Sequence, residues 1–126
     1  DMGSVIISAK SKYQIIKRKL WWPDAKHHCH AIDGHLVALE NAEEYSVISP
    51  SLDPVEFYHI GLNDLETQGT YVWEHNGQQV GPYAPWMTTE PNGGSIEDCI
   101  VLQNGLWADI RCDEYFLYFI CEFERN

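Results

Sequence analysis

Four side chains able to offer hard oxygen donors crowd one short stretch: Glu90, Asn92, Glu97 and Asp98, between Thr89 and Cys99. A fifth, Asp109, follows Trp107 and Ala108 and precedes Cys112. Carboxylates and an amide on a loop rich in Gly and Pro suit calcium, which takes roughly 6–8 oxygen ligands at flexible angles. The spacing is not that of an EF-hand, which needs acidic or amide groups on alternate residues around a central Gly. The last donor must instead come from a distant strand. A glycosidase would also use two carboxyls, set across a cleft as acid and as base or nucleophile. Glu90 and Glu97, however, share one loop with an amide and a third acid, and a bound cation holds such a set ionised together. No Ser–His–Asp or activated Cys arrangement stands out. The chain reads as a binding protein and not as an enzyme.

Glu90-Pro91-Asn92, then Glu97-Asp98-Cys99, then Trp107-Ala108-Asp109 and Cys112 resemble the carbohydrate-recognition loop of C-type lectins of the mannose-binding kind. That family reads E-P-N, E-D-C and W-N-D in the same order. Upstream, Trp22 with Ala25 and Cys29, Gly34-His35-Leu36-Val37, Glu43-Glu44 and His59-Ile60-Gly61-Leu62 resemble its other landmarks. The likeness runs from about residue 13 to residue 123. It departs at Ala108, where the family has Asn. An isolated acidic loop would read as a solvated turn; the ordered landmarks make it a site.

The resemblance implies an α+β C-type lectin-like fold, two helices flanking antiparallel sheets with a long calcium-binding loop region. It implies a calcium ion held by Glu90, Asn92, Glu97 and Asp109, the last through carboxylate and backbone carbonyl, with the Glu90-Pro91 bond cis. Glycans with vicinal equatorial hydroxyls, as on mannose, glucose or fucose, would complete the coordination. Each hydroxyl would give a lone pair to the ion, donate its proton to a Glu and accept from an Asn amide. Ala108 removes one such amide, yet five protein oxygens and two hydroxyls still give roughly seven ligands. An auxiliary calcium site would use Asp64, Asp98 and Glu97, with Gln68 and Gly93 where acids are usual. The family register also selects the disulfides Cys29–Cys121 and Cys99–Cys112 from three possible connectivities. The expected partners are microbial or cell-surface glycans, bound by several copies in a homo-oligomer because single sites are weak. The alternative is a lectin-like module that binds a protein or another non-sugar ligand through the same loops.

Composition bounds this independently. The chain has 126 residues, 44% of them hydrophobic, enough for one domain with a single core. Residues 1–4 stand apart from the pattern and read as an appended remnant. A net charge of -11 opposes a nucleic-acid phosphate backbone and an anionic membrane surface. No apolar run approaches the roughly 18 residues of a membrane span, so membrane insertion is not expected. Four cysteines suggest two disulfides and an oxidising compartment, and the absence of C-x-x-C spacing argues against structural zinc. With no leader-like stretch at its start, the chain reads as a mature secreted domain.

The elements that must position the loop follow from periodicity. Val5–Ile7 and Tyr13–Ile16 read as short strands. Pro23 fits a first helical turn, Ala25, Cys29 and Ile32 share a buried face, and Gly34 ends that helix. Leu36–Leu39 is a strand, and Asn41 with Glu44 predicts a capping box for a second helix ending near Pro50. Phe57–Leu62 is a strand; Tyr71–Trp73 leads into an Asn76-Gly77 hairpin. From Gln79 to Asn92 no period is visible, a length of loop that implies function. Ile100–Leu102 and Tyr115–Phe123 close the domain. His27, His28 and His30 look like a metal cluster, but only His27 and His30 can share a helix face. His35 and His59 read as packing residues, and Trp73 and Trp107 as core aromatics.

Overall fold

The computed structural model describes residues 4–93 and 96–125. Of the stretch set apart at the start, residues 1–3 lie outside these, and Ser4 opens β1 (Ser4–Ile7). β1 forms an antiparallel hairpin with β2 (Ser11–Leu20), which outruns its apolar centre because β8 (Leu117–Glu124) pairs along most of its length. α1 (Trp22–Ala31) begins with Pro23 in its first turn, as expected. Trp22, Ala25 and Cys29 form its buried face, and Trp22 Nε1–H donates to the carbonyl of Ile60 at 2.7 Å. Ile32 is not on that face: it caps the helix and is 42% exposed. The left-handed residue past the helix is Asp33 (φ 69°), not Gly34. Gly34 meets a steric demand, since a Cβ there would lie 2.6 Å from the Phe123 ring.

β3 is shorter than expected, His35–Leu36 only. Val37–Leu39 are buried, yet Ala38 N–H donates to the Glu122 carboxylate at 3.0 Å instead of joining a ladder. Asn41 Oδ1 caps α2 (Ala42–Ile48) by accepting from Glu44 N–H at 2.8 Å. The return arm differs from a capping box, because Glu44 accepts from Glu40 N–H, 2.7 Å away. A single 3₁₀ turn over Ser49–Ser51 follows.

β4 (Tyr58–Asn63), β5 (Val72–Trp73), β6 (Cys99–Gln103) and β7 (Leu106–Ile110) complete one eight-stranded sheet of order β1-β2-β8-β4-β6-β7. β3 joins it at β8 and β5 at β4; β4 with β8 is the parallel pairing. The β6–β7 hairpin turns on Asn104-Gly105, both at positive φ, a pairing of residues that favours such turns. The described residues hold two apolar clusters. One, around Trp22, Phe119 and the Cys29–Cys121 disulfide, seats α1; the other gathers Ile60, Leu62, Trp73, Leu102 and Trp107 beneath the loop region. Cys99–Cys112 also forms, and closing a loop of this size is worth about 3 kcal/mol. No helix among the described residues is long and apolar enough to cross a membrane.

Candidate cation and ligand site

The long segment before Glu90 carries almost no regular structure, and β7 holds it in place. Trp107 N–H donates to Pro85 O, and Met87 N–H to Trp107 O, each at 2.8 Å. The fully buried Trp107 ring meets Trp73, Tyr83 and Trp86 nearly edge to face, each centroid 5.8 Å away. Edge-to-face pairs add about 0.5–1.5 kcal/mol beyond area burial. Trp107 is a core residue that also carries the loop.

From that anchor the chain passes Thr89 (φ 69°) and a cis Glu90–Pro91 bond into the acidic stretch. Asn92 Nδ2–H donates to Glu90 Oε2 at 3.0 Å. Asp109, on β7 and 4% exposed, accepts main-chain N–H groups from Asn92 at 3.0 Å and Gly93 at 2.8 Å. Its own N–H reaches Glu90 Oε1 at 3.4 Å. Glu97 lies against Gly93 so closely that a Cβ there would collide with its side chain. Glu90, Asn92, Glu97 and Asp109 thus border one cleft of about 520 Å³. Its apolar lining includes Phe57, Val101, Ala108, Ile110, Tyr115 and Leu117. Phe57 and Tyr115 read as strand openers in the sequence, but β4 starts at Tyr58 and β8 at Leu117, which leaves both aromatics in the loops that line the cleft.

The electrostatics are those of acids gathered without enough positive charge. Glu90 is pushed up to about 7 by hydrogen bonding with Asp109, then by burial. Asp109 stays ionised: burial works against it, but hydrogen bonds from Glu90, Gly93 and Asn92 hold it below the usual carboxylate range. Burial first, then Asp109 and Glu114, raise Glu97 despite Arg111. Tyr71 rises to about 12, through burial and then the field of Asp64, Asp109, Asp98 and Glu90.

The auxiliary pair lies beside these groups. Asp64 N–H donates to Asp98 O at 3.0 Å, and Asp64 Oδ2 accepts from Gly69 N–H at 2.8 Å. Asp98 is raised to about 6 by burial and then by Asp64. Asp64 Oδ1 and Asp98 Oδ1 are buried with no hydrogen-bond partner. Orphaned carboxylate oxygens in an acidic pocket fit a cation, as do the hard donors bordering the cleft. The fit is not yet a closed cage. Among the described residues, the trio of His, Cys, Asp or Glu with donor atoms all within 4.8 Å lies elsewhere, at His35, His75 and Glu124. Glu90 and Asp109 instead share a hydrogen bond, which a bound cation would have to replace.

Of the α1 histidines, His30 Nε2 is taken by Glu74 at 2.8 Å and His28 packs edge-on against Phe119. His59 is fully buried and bonds Leu20 O at 2.8 Å.

A family profile described as "Lectin C-type domain" matches residues 18–123. The low affinity immunoglobulin epsilon Fc receptor of Mus musculus is 33% identical over 112 residues, 87% of this chain and 33% of the receptor. The chain therefore spans about a third of that relative's length. Perlucin of Haliotis laevigata is 33% identical over 124 residues, covering 92% of this chain and 78% of perlucin. A structure of the cow CD23 carbohydrate-recognition domain, solved in the presence of GlcNAc2Man3 oligosaccharide, superposes with a TM-score of 0.87. It is 26% identical and covers 97% of this chain and 94% of its own.

Proposed function

The chain belongs to the C-type lectin family, and from that premise we propose that it binds carbohydrate through calcium in the cleft bordered by Glu90, Asn92, Glu97 and Asp109. The observation that carries the reading is the Glu90–Asn92 pair. An acceptor and a donor 3.0 Å apart satisfy each other here, and a sugar hydroxyl entering between them finds both. It gives its proton to Glu90 and accepts from Asn92 Nδ2. Glu97 acts the same way on a neighbouring hydroxyl, without an amide from Ala108. Glu90, Asn92, Glu97 and Asp109 would hold a calcium ion, which would supply a Lewis-acid centre for the sugar hydroxyls and offset the repulsion among the carboxylates. Asp64 and Asp98 would hold a second ion, whose work is to stiffen the loop.

Mannose, glucose and fucose carry the equatorial hydroxyl pair this arrangement favours. The relative crystallised in the presence of a mannose-containing oligosaccharide supports that class. Two disulfides support an oxidising, extracellular setting, and several copies acting together would raise avidity. Retention on mannose-agarose in calcium, lost in chelator and in Glu90→Gln, is the expected result. Retention that survives the chelator refutes the mechanism.

A second reading rests on exposed aromatics beside the cleft. Tyr115 and Phe116 are 47% and 57% exposed, and Phe116 stacks on Trp21 with ring centroids 5.1 Å apart. Such a surface fits a protein partner contacted through the same loops. Calcium-independent binding abolished by Phe116→Ala would favour it.

A further inference from the structure

Leu117, at the start of β8, lines the cleft, and Glu124 ends the same strand seven residues later. At about 3.3 Å per residue that is roughly 23 Å away. There Glu124, His35 and His75 each present one ligand atom, and the three atoms lie within 4.8 Å of one another. We propose that His35, His75 and Glu124 form a binding site for a divalent transition ion of the zinc type, separate from the calcium loop.

The tautomer of His35 is the first argument. Its Nδ1 lies 2.7 Å from Leu36 O, which can only accept, so Nδ1 carries the proton. In the neutral ring Nε2 is then a bare lone pair, and it faces Glu124 Oε2 at 3.1 Å. A proton on Nε2 makes this an ion pair; with the ring neutral, a metal ion is the species that joins the two acceptors. A backbone carbonyl fixing the far nitrogen is also how metal-binding histidines are oriented.

The second argument is His75. Its ring stacks on His35 at 4.1 Å with an interplanar angle of 11°, and its Nδ1 is buried without a partner. The carboxylates of Glu124, Glu74 and Glu44 lie near enough to act on it. A second imidazole with an unpartnered nitrogen, set among carboxylates, suits a divalent ion. Two imidazoles and one carboxylate are a zinc-type donor set, poor for calcium, and exposed Glu124 leaves a fourth position to water.

The scaffold is partly rigid. His35 is 7% exposed on β3, and its register partner on β8 is Glu122, two residues from Glu124. His75 follows β5 in a loop. Lone pairs of two stacked rings lie in parallel planes, so His75 must turn about its Cβ–Cγ bond to meet an ion held by His35.

The test uses the tag-free protein in saturating calcium, so that the loop carboxylates are occupied. Calorimetry with zinc should find one ion per chain, and cobalt should give the visible bands of a low-coordinate nitrogen and oxygen site. His75→Ala and Glu124→Gln, both folded by circular dichroism, should each weaken zinc by roughly tenfold or more. A His27→Ala, His28→Ala double variant should bind as the parent does. No binding at millimolar zinc, a smaller effect at either His75 or Glu124, or loss in the double variant overturns the assignment. Mannose retention by His75→Ala, read in parallel, keeps this outcome distinct from failure of the sugar site.

Discussion

The carboxylate of Asp109 accepts the consecutive main-chain N–H groups of Asn92 and Gly93, and so fastens the acidic loop to β7. Hydrogen bonds to a charged acceptor contribute roughly 1.5–3 kcal/mol each. Asp109→Asn keeps one acceptor oxygen and loses the charge. Amide hydrogen exchange at Asn92 and Gly93 should therefore quicken in this variant, calcium or no calcium, while the Trp107 amide stays protected. Equal exchange at the two loop amides in both proteins would mean that the tie holds nothing.

The same pair sets a pH dependence. Glu90 titrates near 7 in the fold, above the ordinary value of 4.5, so without calcium the folded protein holds a proton that the unfolded chain has released. Its contribution is present below about 4.5 and is lost as pH rises through 7. In chelator, Glu90→Gln should gain stability relative to the parent as pH rises from 5 to 8. Calcium should reverse the order. Urea unfolding of both proteins across that range decides it, and a constant difference in chelator refutes the coupling.

His59 works with the opposite sign. Burial pushes it down to about 4, so on unfolding it gains a proton below about 6.5. Its contribution is complete above that value and is lost as pH falls through 4. At about 1.36 kcal/mol per unit, the loss is roughly 3 kcal/mol. The stability difference between the parent and the neutral variant His59→Gln should shrink by about that amount from pH 7 to pH 4. If the difference is flat, His59 is not the group that titrates.

Much of this was legible in the chain because local chemistry dictates it. Asn41 before an apolar helix face, Pro23 at a first turn and the cysteine register all act over short range or through a shared pattern. β7 went unread as a strand in the periodicity, although Asn104-Gly105 is a hairpin signal as strong as Asn76-Gly77. Its five residues mix one acid into an apolar run, and Asp109 faces the cleft for chemistry and not for packing. The role of Gly34 was misassigned because only tertiary contact with Phe123 requires it. His35, His75 and Glu124 lie far apart in sequence; β3 pairing with β8 brings His35 to Glu124, and β5 pairing with β4 delivers the turn that carries His75.

Ala108 is 8% exposed, pairs with Val101 across β6 and β7, and lines the cleft beside Glu90, Glu97 and Asp109. A longer side chain there must enter the cleft, since the strand register holds the backbone. Ala108→Asn would add an oxygen for the ion and an N–H for the second sugar hydroxyl. One hydrogen bond nets about 0.5–1.5 kcal/mol, more where a cation polarises its partner. Affinity for mannose should rise about tenfold, the equivalent of about 1.4 kcal/mol, and calcium should tighten with it. An ordered water serving in place of the amide would shrink the gain. Calorimetry of both proteins at matched calcium measures it. If Ala108→Asn binds neither ligand more tightly, position 108 does not contribute to the ion's surroundings, and the ligand set drawn from Glu90, Asn92, Glu97 and Asp109 has to be redrawn.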